Sequence, residues 1–389
     1  MRGERLIAVA KRELWQMMSR PLYVFGSVIV MSFCCLFYLT LLDEGLPEKL
    51  PVGVVDCDHT PVSRMLRREL DAGQGVKVVA EYSDYTDARK ALQRGDIYAF
   101  LYIPERFYAD ILSFRRPTMT LYANSAYTLG GTLAYKQLMT LANLASGAVQ
   151  REVLRGRGMR DEQIMPVIQP VVVDTHILGN PWVNYSVYLS TTILPGTLGL
   201  MVLLLSAFSM THEIKMRTSR QWMETAGGNL LTALAGKLLP YSVLFSVLGW
   251  AMNVLLFRVL HFPMPGSFWF MGVAVAAYVL AMQAVAVLIV GALPMPGLAI
   301  SICSLYGTLC FTLAGFSYPV EAMLPVFRAF TWIVPLRHYY MITVDQMLMG
   351  LPVAESFVSL AILLSAMLVP LPLYGRLKRS FMNPGAVGE

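Results

Sequence analysis

The sequence predicts an α-helical polytopic membrane protein with six transmembrane helices and an α/β domain inserted between the first two. Three observations carry that reading. The 389 residues are 56% hydrophobic and only 14% charged, with a mean hydropathy of +0.54, which is too apolar for an ordinary soluble globular chain. Six apolar runs are each long enough to cross roughly 30 Å of hydrocarbon at 1.5 Å per residue. Between the first and second run lies a polar stretch that alternates strand-like and helix-like patterns.

Residues 1–20 place Leu6, Ile7, Ala10, Leu14, Met17 and Met18 on one arc of a helical wheel, with Arg5, Lys11, Arg12 and Glu13 mostly outside it. This predicts an amphipathic interfacial helix. Pro21 opens the first span, 21–42. A cleaved signal peptide is disfavoured, because the charged region before the span is long and the exit LLDEGLPEK lacks small residues at a cleavage site. Residues 43–180 read as an extracytoplasmic α/β domain with a mixed sheet. Strands are expected at Pro51–Val55, Val76–Tyr82, Ile97–Ile103 and Met119–Tyr122, and a last one at Val167–Ile177 returns the chain to the membrane. Helices are expected over Asp58–Asp71 with Ser63 as a capping candidate, over Asp84–Arg94, from Pro104, and from Tyr127 to about Gly156.

Five further apolar runs, at about 183–210, 238–260, 268–292, 298–316 and 353–374, make the block 183–374 a five-helix unit, followed by a tail over 375–389. Basic residues collect at the N-terminus (Arg2, Arg5, Lys11, Arg12, Arg20), in 211–237 (Lys215, Arg217, Arg220, Lys237) and in the tail (Arg376, Lys378, Arg379). The opposite short loops hold only Arg328 and Arg337. The positive-inside rule then puts both termini and 211–237 in the cytoplasm and the α/β domain outside.

Two segments interrupt the apolar pattern. Residues 211–237 mix Glu213, Lys215, Arg217, Thr218, Arg220 and Glu224 with Trp222 and Met223. They read as a short interfacial helix facing a soluble partner, or else as a solvated loop. Residues 316–340 are apolar enough for membrane yet contain Tyr318, Pro319, Glu321, Pro325, Arg328, Trp332, Pro335, Arg337 and His338. Charge and proline at bilayer depth exclude a straight span, so this segment is expected to be re-entrant, the alternative being a loop on the headgroups. Gln283, midway along a span, either lines a pathway or hydrogen-bonds a neighbouring helix.

The chemistry missing from the sequence narrows the function. Gly228–Lys237 fails the spacing of a nucleotide-binding Walker A loop, and neither G-x-S-x-G nor H-E-x-x-H occurs. Asp56, Cys57, Asp58 and His59 read as a strand end plus a helix cap rather than a metal cluster. The five cysteines form no disulfide framework or zinc spacing, and no basic run with interleaved aromatics suggests nucleic acid.

Taken in order, several pieces resemble the ABC-2 type transporter permeases, in particular members with a large extracytoplasmic domain between spans one and two. They are Val54, Val55, Asp56 and Asp58 with Pro61, Ser63 and Leu66; Ala88, Leu92 and Gly95 leading to Ile103, Pro104 and Phe107; and Tyr122 with Asn124. Further along come Glu213 and Thr218 ahead of Asn229, Gly236 and Lys237, then Gly315, Pro319, Met323, Leu324 and Pro325 before Pro335 and His338. Arg217 stands where the family commonly has Gly. The resemblance covers nearly the whole chain. It implies a dimeric permease, homo- or heterodimeric, that carries no cofactor of its own, with ATP and magnesium on a separate ABC ATPase subunit. Glu213–Glu224 would be the ATPase-coupling helix and 316–340 the re-entrant exit gate. The resulting expectation is an inner-membrane exporter of a hydrophobic or amphiphilic substrate, with a periplasmic adaptor left open as a further partner. A non-transporting sensor or assembly anchor with an external ligand-binding domain is the rival class.

Overall fold

The computed structural model describes residues 2–43, 45–113, 115, 117–181 and 183–382. It divides into two units, one of residues 1–45 and 177–389 and the other Leu46–His176. The first begins with α1 (Arg2–Ser19) and α2 (Pro21–Leu41). The second carries β1 (Leu50–Asp56), α3 (Pro61–Ala72), β2 (Val76–Tyr82), α4 (Tyr85–Arg94), β3 (Ala99–Ile103), α5 (Phe107–Leu112), β4 (Thr120–Ala123), α6 (Thr128–Gly156) and α7 (Asp161–Ile168). The first unit then resumes with α8 (Tyr185–Lys215), α9 (Ser219–Thr225), α10 (Leu230–Val259), α11 (Phe268–Ala292), α12 (Pro296–Leu313), α13 (Pro325–Phe330), α14 (Pro335–Thr343) and α15 (Val353–Met382). Among the described residues six helices are long and apolar enough to cross a membrane: α2, α8, α10, α11, α12 and α15.

The inserted unit is a four-stranded mixed sheet in the order β2-β1-β3-β4. β1 runs parallel to both β2 and β3, and β4 lies antiparallel on β3, with Val52 opposite Ala99 and Phe100 opposite Tyr122. β1 is buried on both faces, so its sequence is a nearly unbroken apolar run rather than an alternation. One face packs Val52, Val54, Leu66, Leu70 and Leu101 against Ala134 and Leu138 of α6, and the other packs Val55 and Phe100 against Ala88 and Ala91 of α4.

Asp56, at the end of β1, accepts hydrogen bonds from the backbone of Asp58 and His59 and from the Ser63 hydroxyl. Thr60 is the N-cap of α3, and Ser63 completes a reciprocal capping box with it. Strand end and helix start are thereby tied through one carboxylate. The helix expected from Pro104 starts instead at Phe107, after Arg106 takes a left-handed conformation (φ 63°).

The strand expected over Val167–Ile177 does not form. Residues 161–168 are helical and the rest is irregular, with Val171, Val172 and Val173 exposed. Val171–Val173 pair with none of the four strands, and Pro170 removes a ladder donor within the run. Arg155 and Arg151 donate instead to Asp161, which ties α7 to α6 and holds that carboxyl well below the ordinary carboxylate range. The stabilisation it gives is present above the usual carboxylate pKa and fades as pH falls below it.

In the helical unit, α8 and α11 are the most enclosed spans, while α2, α15 and α12 are the least. Tyr278 of α11 stacks on Tyr339 of α14 and donates to the Pro195 carbonyl at a distance of 3.1 Å. α8 runs on to Lys215 and α10 begins at Leu230, so the polar segment is shorter than 211–237 and Lys237 belongs to a long helix. The expected tail 375–389 also begins in structure, because α15 reaches Met382 with Leu377 and Phe381 buried; residues 383–389 lie outside the described residues. The backbone leaves the first span at Gly45 and rejoins at Tyr185, whose N–H donates to the Gly45 carbonyl at 2.8 Å.

Two glycines of α6 respond oppositely to a methyl group. A Cβ on Gly131 would sit 2.1 Å from the Asn124 carbonyl oxygen, whereas on Gly147 the nearest atom is Ile168 Cγ2 at 3.9 Å. Gly131→Ala is expected to destabilise the inserted domain by about 1–3 kcal/mol, and Gly147→Ala to stabilise it by about 0.5–1 kcal/mol. Urea-dependent proteolysis of the domain in the full-length protein measures both.

Candidate functional site

At one end of the helical unit, four charged side chains meet out of water. Glu13 of α1, Glu213 near the end of α8 and Lys237 of α10 are each only 1% exposed, and Arg12 of α1 is partly buried beside them. Lys237 Nζ lies 2.6 Å from Glu13 Oε2 and 3.0 Å from Glu213 Oε1. Arg12 adds a two-pronged pair to Glu213, at 2.8 and 3.1 Å. The Thr218 hydroxyl donates to Glu213 at 2.5 Å and the Tyr241 hydroxyl to Glu13 at 2.8 Å.

Two positive and two negative groups cancel, and each carboxylate accepts from more than one donor. That is the condition under which buried charge is tolerable, since an unpaired ion there would carry a desolvation penalty of several kcal/mol. The helices come close enough because Gly236 faces α1, where a Cβ would lie 2.7 Å from that of Val9.

Trp222 of α9 closes the cluster from the side. Its ring centroid is 5.2 Å from Lys237 Nζ, a cation–π distance, and Phe381 of α15 meets the ring edge-on at 4.9 Å. Trp222, Met223, Ser219 and Ala226 form the buried face of α9, at the spacing of one helical stripe. This corrects the expectation that Trp222 and Met223 are anchors offered to a partner: both are wholly buried in the chain's own core. An amphipathic segment has one apolar face, and here the bundle itself covers it. Lys215, Met216, Arg217, Arg220, Gln221, Glu224 and Thr225 are exposed, with Arg220 and Glu224 paired at 3.2 Å.

Of the other residues singled out, Glu213 and Thr218 belong to the buried cluster. Arg217 has φ 55°, a left-handed conformation that a glycine would adopt without steric cost. Gln283 links two helices, accepting from Ser242 at 2.7 Å and donating to the Leu238 carbonyl at 3.3 Å.

The segment 316–340 is a chain of short turns around α13. Tyr318, Pro319, Glu321, Pro325, Trp332 and Arg328 are exposed, while Pro335 and His338 are buried and Arg337 is half-buried. His338 Nε2 lies 2.9 Å from the Trp332 carbonyl, and Tyr188 of α8 donates to the Phe316 carbonyl.

Sequence reading missed Arg12, Glu13 and Tyr241 as partners of Glu213 and Lys237. The signal for Glu13 was its place between Val9 and Met17 at four-residue spacing, the stripe that α1 buries. No group of three or more His, Cys, Asp or Glu side chains suited to a metal occurs among the described residues.

Removing one member of the cluster strands the others. Lys237→Met is expected to cost about 3–5 kcal/mol, and Glu13→Gln combined with it to restore part of that loss by removing one stranded charge. Thermal unfolding of the purified protein followed by size-exclusion chromatography separates the two variants.

Among known proteins, the family described as ABC-2 family transporter protein matches residues 21–373, which takes in the first five spans, the inserted domain and the greater part of the sixth span. A search of the curated proteins returned no match. Members of this family are membrane transport components that work with an ABC ATPase and are not themselves catalytic. The chain belongs to the ABC-2 transporter family and is a multi-pass transport subunit of an ABC transporter.

Proposed function

We propose that this chain is the permease of an ATP-driven exporter in an inner membrane, working as a dimer, with a second copy or a paralogue, and moving a hydrophobic or amphiphilic substrate out of the cytoplasm or inner leaflet. The buried cluster of Arg12, Glu13, Glu213 and Lys237 is the observation that carries the reading. It fastens α1, α8 and α10 together beside α9, and Trp222 fastens α9 to the same point. A displacement of α9 is therefore delivered to three helices at once rather than lost in a loop.

In this proposal the exposed face of α9, with Arg220 and Glu224, meets the ATPase together with Lys215 and Arg217 just before it, and these charges set register more than affinity. ATP and magnesium stay on that partner. The ATP-bound partner must bind one arrangement of the bundle more tightly than the other, because only a difference in affinity shifts the equilibrium. Residues 316–340 would form the exit gate, with Glu321, Arg337 and His338 near the outer end. Met-rich and aromatic spans suit amphiphiles. The distribution of Lys and Arg supports cytoplasmic termini and a periplasmic inserted domain, where an adaptor would dock.

Orientation is tested with single cysteines at exposed sites after Cys57→Ser. Ser83→Cys should react with an impermeant maleimide in intact cells, and Gln221→Cys only after permeabilisation; the opposite pattern overturns the orientation.

The coupling role is tested on the exposed face of α9. Arg220→Glu should leave folding stability within about 0.5 kcal/mol of wild type while reducing ATPase co-purification or vesicle transport. Trp222→Ala should instead lower thermal stability. Wild-type co-purification and transport for Arg220→Glu would remove α9 from the coupling path.

A further inference from the structure

The inserted domain contains a cleft of ≈ 660 Å³ between α3, α5, the loop before β4, the second half of α6 and the end of α7. The cleft falls in the range of small-molecule sites. Leu66 and Phe107 on its lining are buried core residues, and Ile111, Met119, Val149 and Val153 also line it. A smaller hollow shares Leu66, Met119 and Ala145 with it, which extends the apolar surface toward the sheet.

The polar part of the lining is one-sided. Arg115 and Arg157 contribute guanidinium groups, Gln150 and Ser146 contribute neutral polar groups, and the described residues that line the cleft include no carboxylate, Glu69 lining only the smaller hollow. Asp110, the acid beside Arg115, stands 3.7 Å away in a pair whose arginine is 69% exposed, so a ligand anion can displace it at little cost.

The geometry points to a binding site for a single-chain amphiphile with an anionic head, the chain lying along Ile111, Met119, Val149 and Val153 and the head at Arg115 and Arg157. A guanidinium matches a carboxylate or a phosphate by paired hydrogen bonds, so a free fatty acid and a lysophospholipid present the same chemistry. The site lies within the inserted domain and holds whether or not its ligand is what the bundle transports.

The test uses full-length protein in lipid nanodiscs and a diazirine-bearing dodecanoate, with labelled peptides mapped by mass spectrometry. Labelling is expected on α5 and on the second half of α6. It should be competed by dodecanoate or by lysophosphatidylglycerol, whichever is the stronger naming the source, and not by dodecyltrimethylammonium. Arg115→Gln with Arg157→Gln, both at solvent-exposed positions, should weaken dodecanoate competition about tenfold, the scale of one charge-assisted hydrogen bond, with dodecanol competition unchanged. Val153→Trp should abolish the labelling by filling the cleft. Equal competition by the cationic amphiphile, labelling confined to the membrane helices, or unchanged labelling in both variants would overturn the assignment.

Discussion

The contact on which the helical unit depends is a neutral quartet of ions buried among its helices. Burying a single ammonium or carboxylate is prohibitive, yet Lys237 with Glu13 and Glu213 is enclosed because every charge has an opposite within hydrogen-bond reach. Such a quartet contributes little net stability compared with well-packed hydrocarbon. Its effect is on register: α1, α8 and α10 have few ways to meet that satisfy two carboxylates and two cations together. Apolar helices in a bilayer otherwise slide and rotate against one another with small penalties, so polar groups of this kind decide which arrangement persists.

The quartet also explains why separated pieces of the family pattern occur together. Glu213, Thr218, Gly236 and Lys237 are spread over a turn and two helices, yet all lie within one cluster or make room for it. The same holds in the inserted domain. Asp56 and Ser63 are joined by a hydrogen bond at 2.7 Å, and the Asn124 side chain donates to the Leu92 carbonyl at 2.9 Å. Arg217 holds a left-handed backbone conformation that a glycine would adopt without strain.

Local periodicity was enough for the spans and for the first four strands, because a run of apolar residues or a β-branched segment beside turn residues has one dominant explanation. It failed where the partner was distant in sequence. Val171–Val173 have strand propensity, but Pro170 interrupts the run and no strand of the sheet pairs with them. Trp222 reads as outward-facing until Phe381, far along the chain, is placed against it. Glu13 looks solvated on a helical wheel because a wheel assigns charge to water, and only the opposing Lys237 and Tyr241 reverse that. Composition alone reveals nothing of the cleft in the inserted domain, which is assembled from four helices and a loop.

The hydrogen bond between Tyr185 and Gly45 has a topological consequence. The bundle holds together the two points at which the chain departs for the inserted domain and comes back, so closing that loop requires no particular fold inside it. Loop-closure entropy grows only slowly with length, and an insertion with adjoining ends burdens its host little whatever it contains. The domain is thus in the position of a cassette. The six-span framework could exchange it for a different fold, or for a short turn, without re-registering a single transmembrane helix.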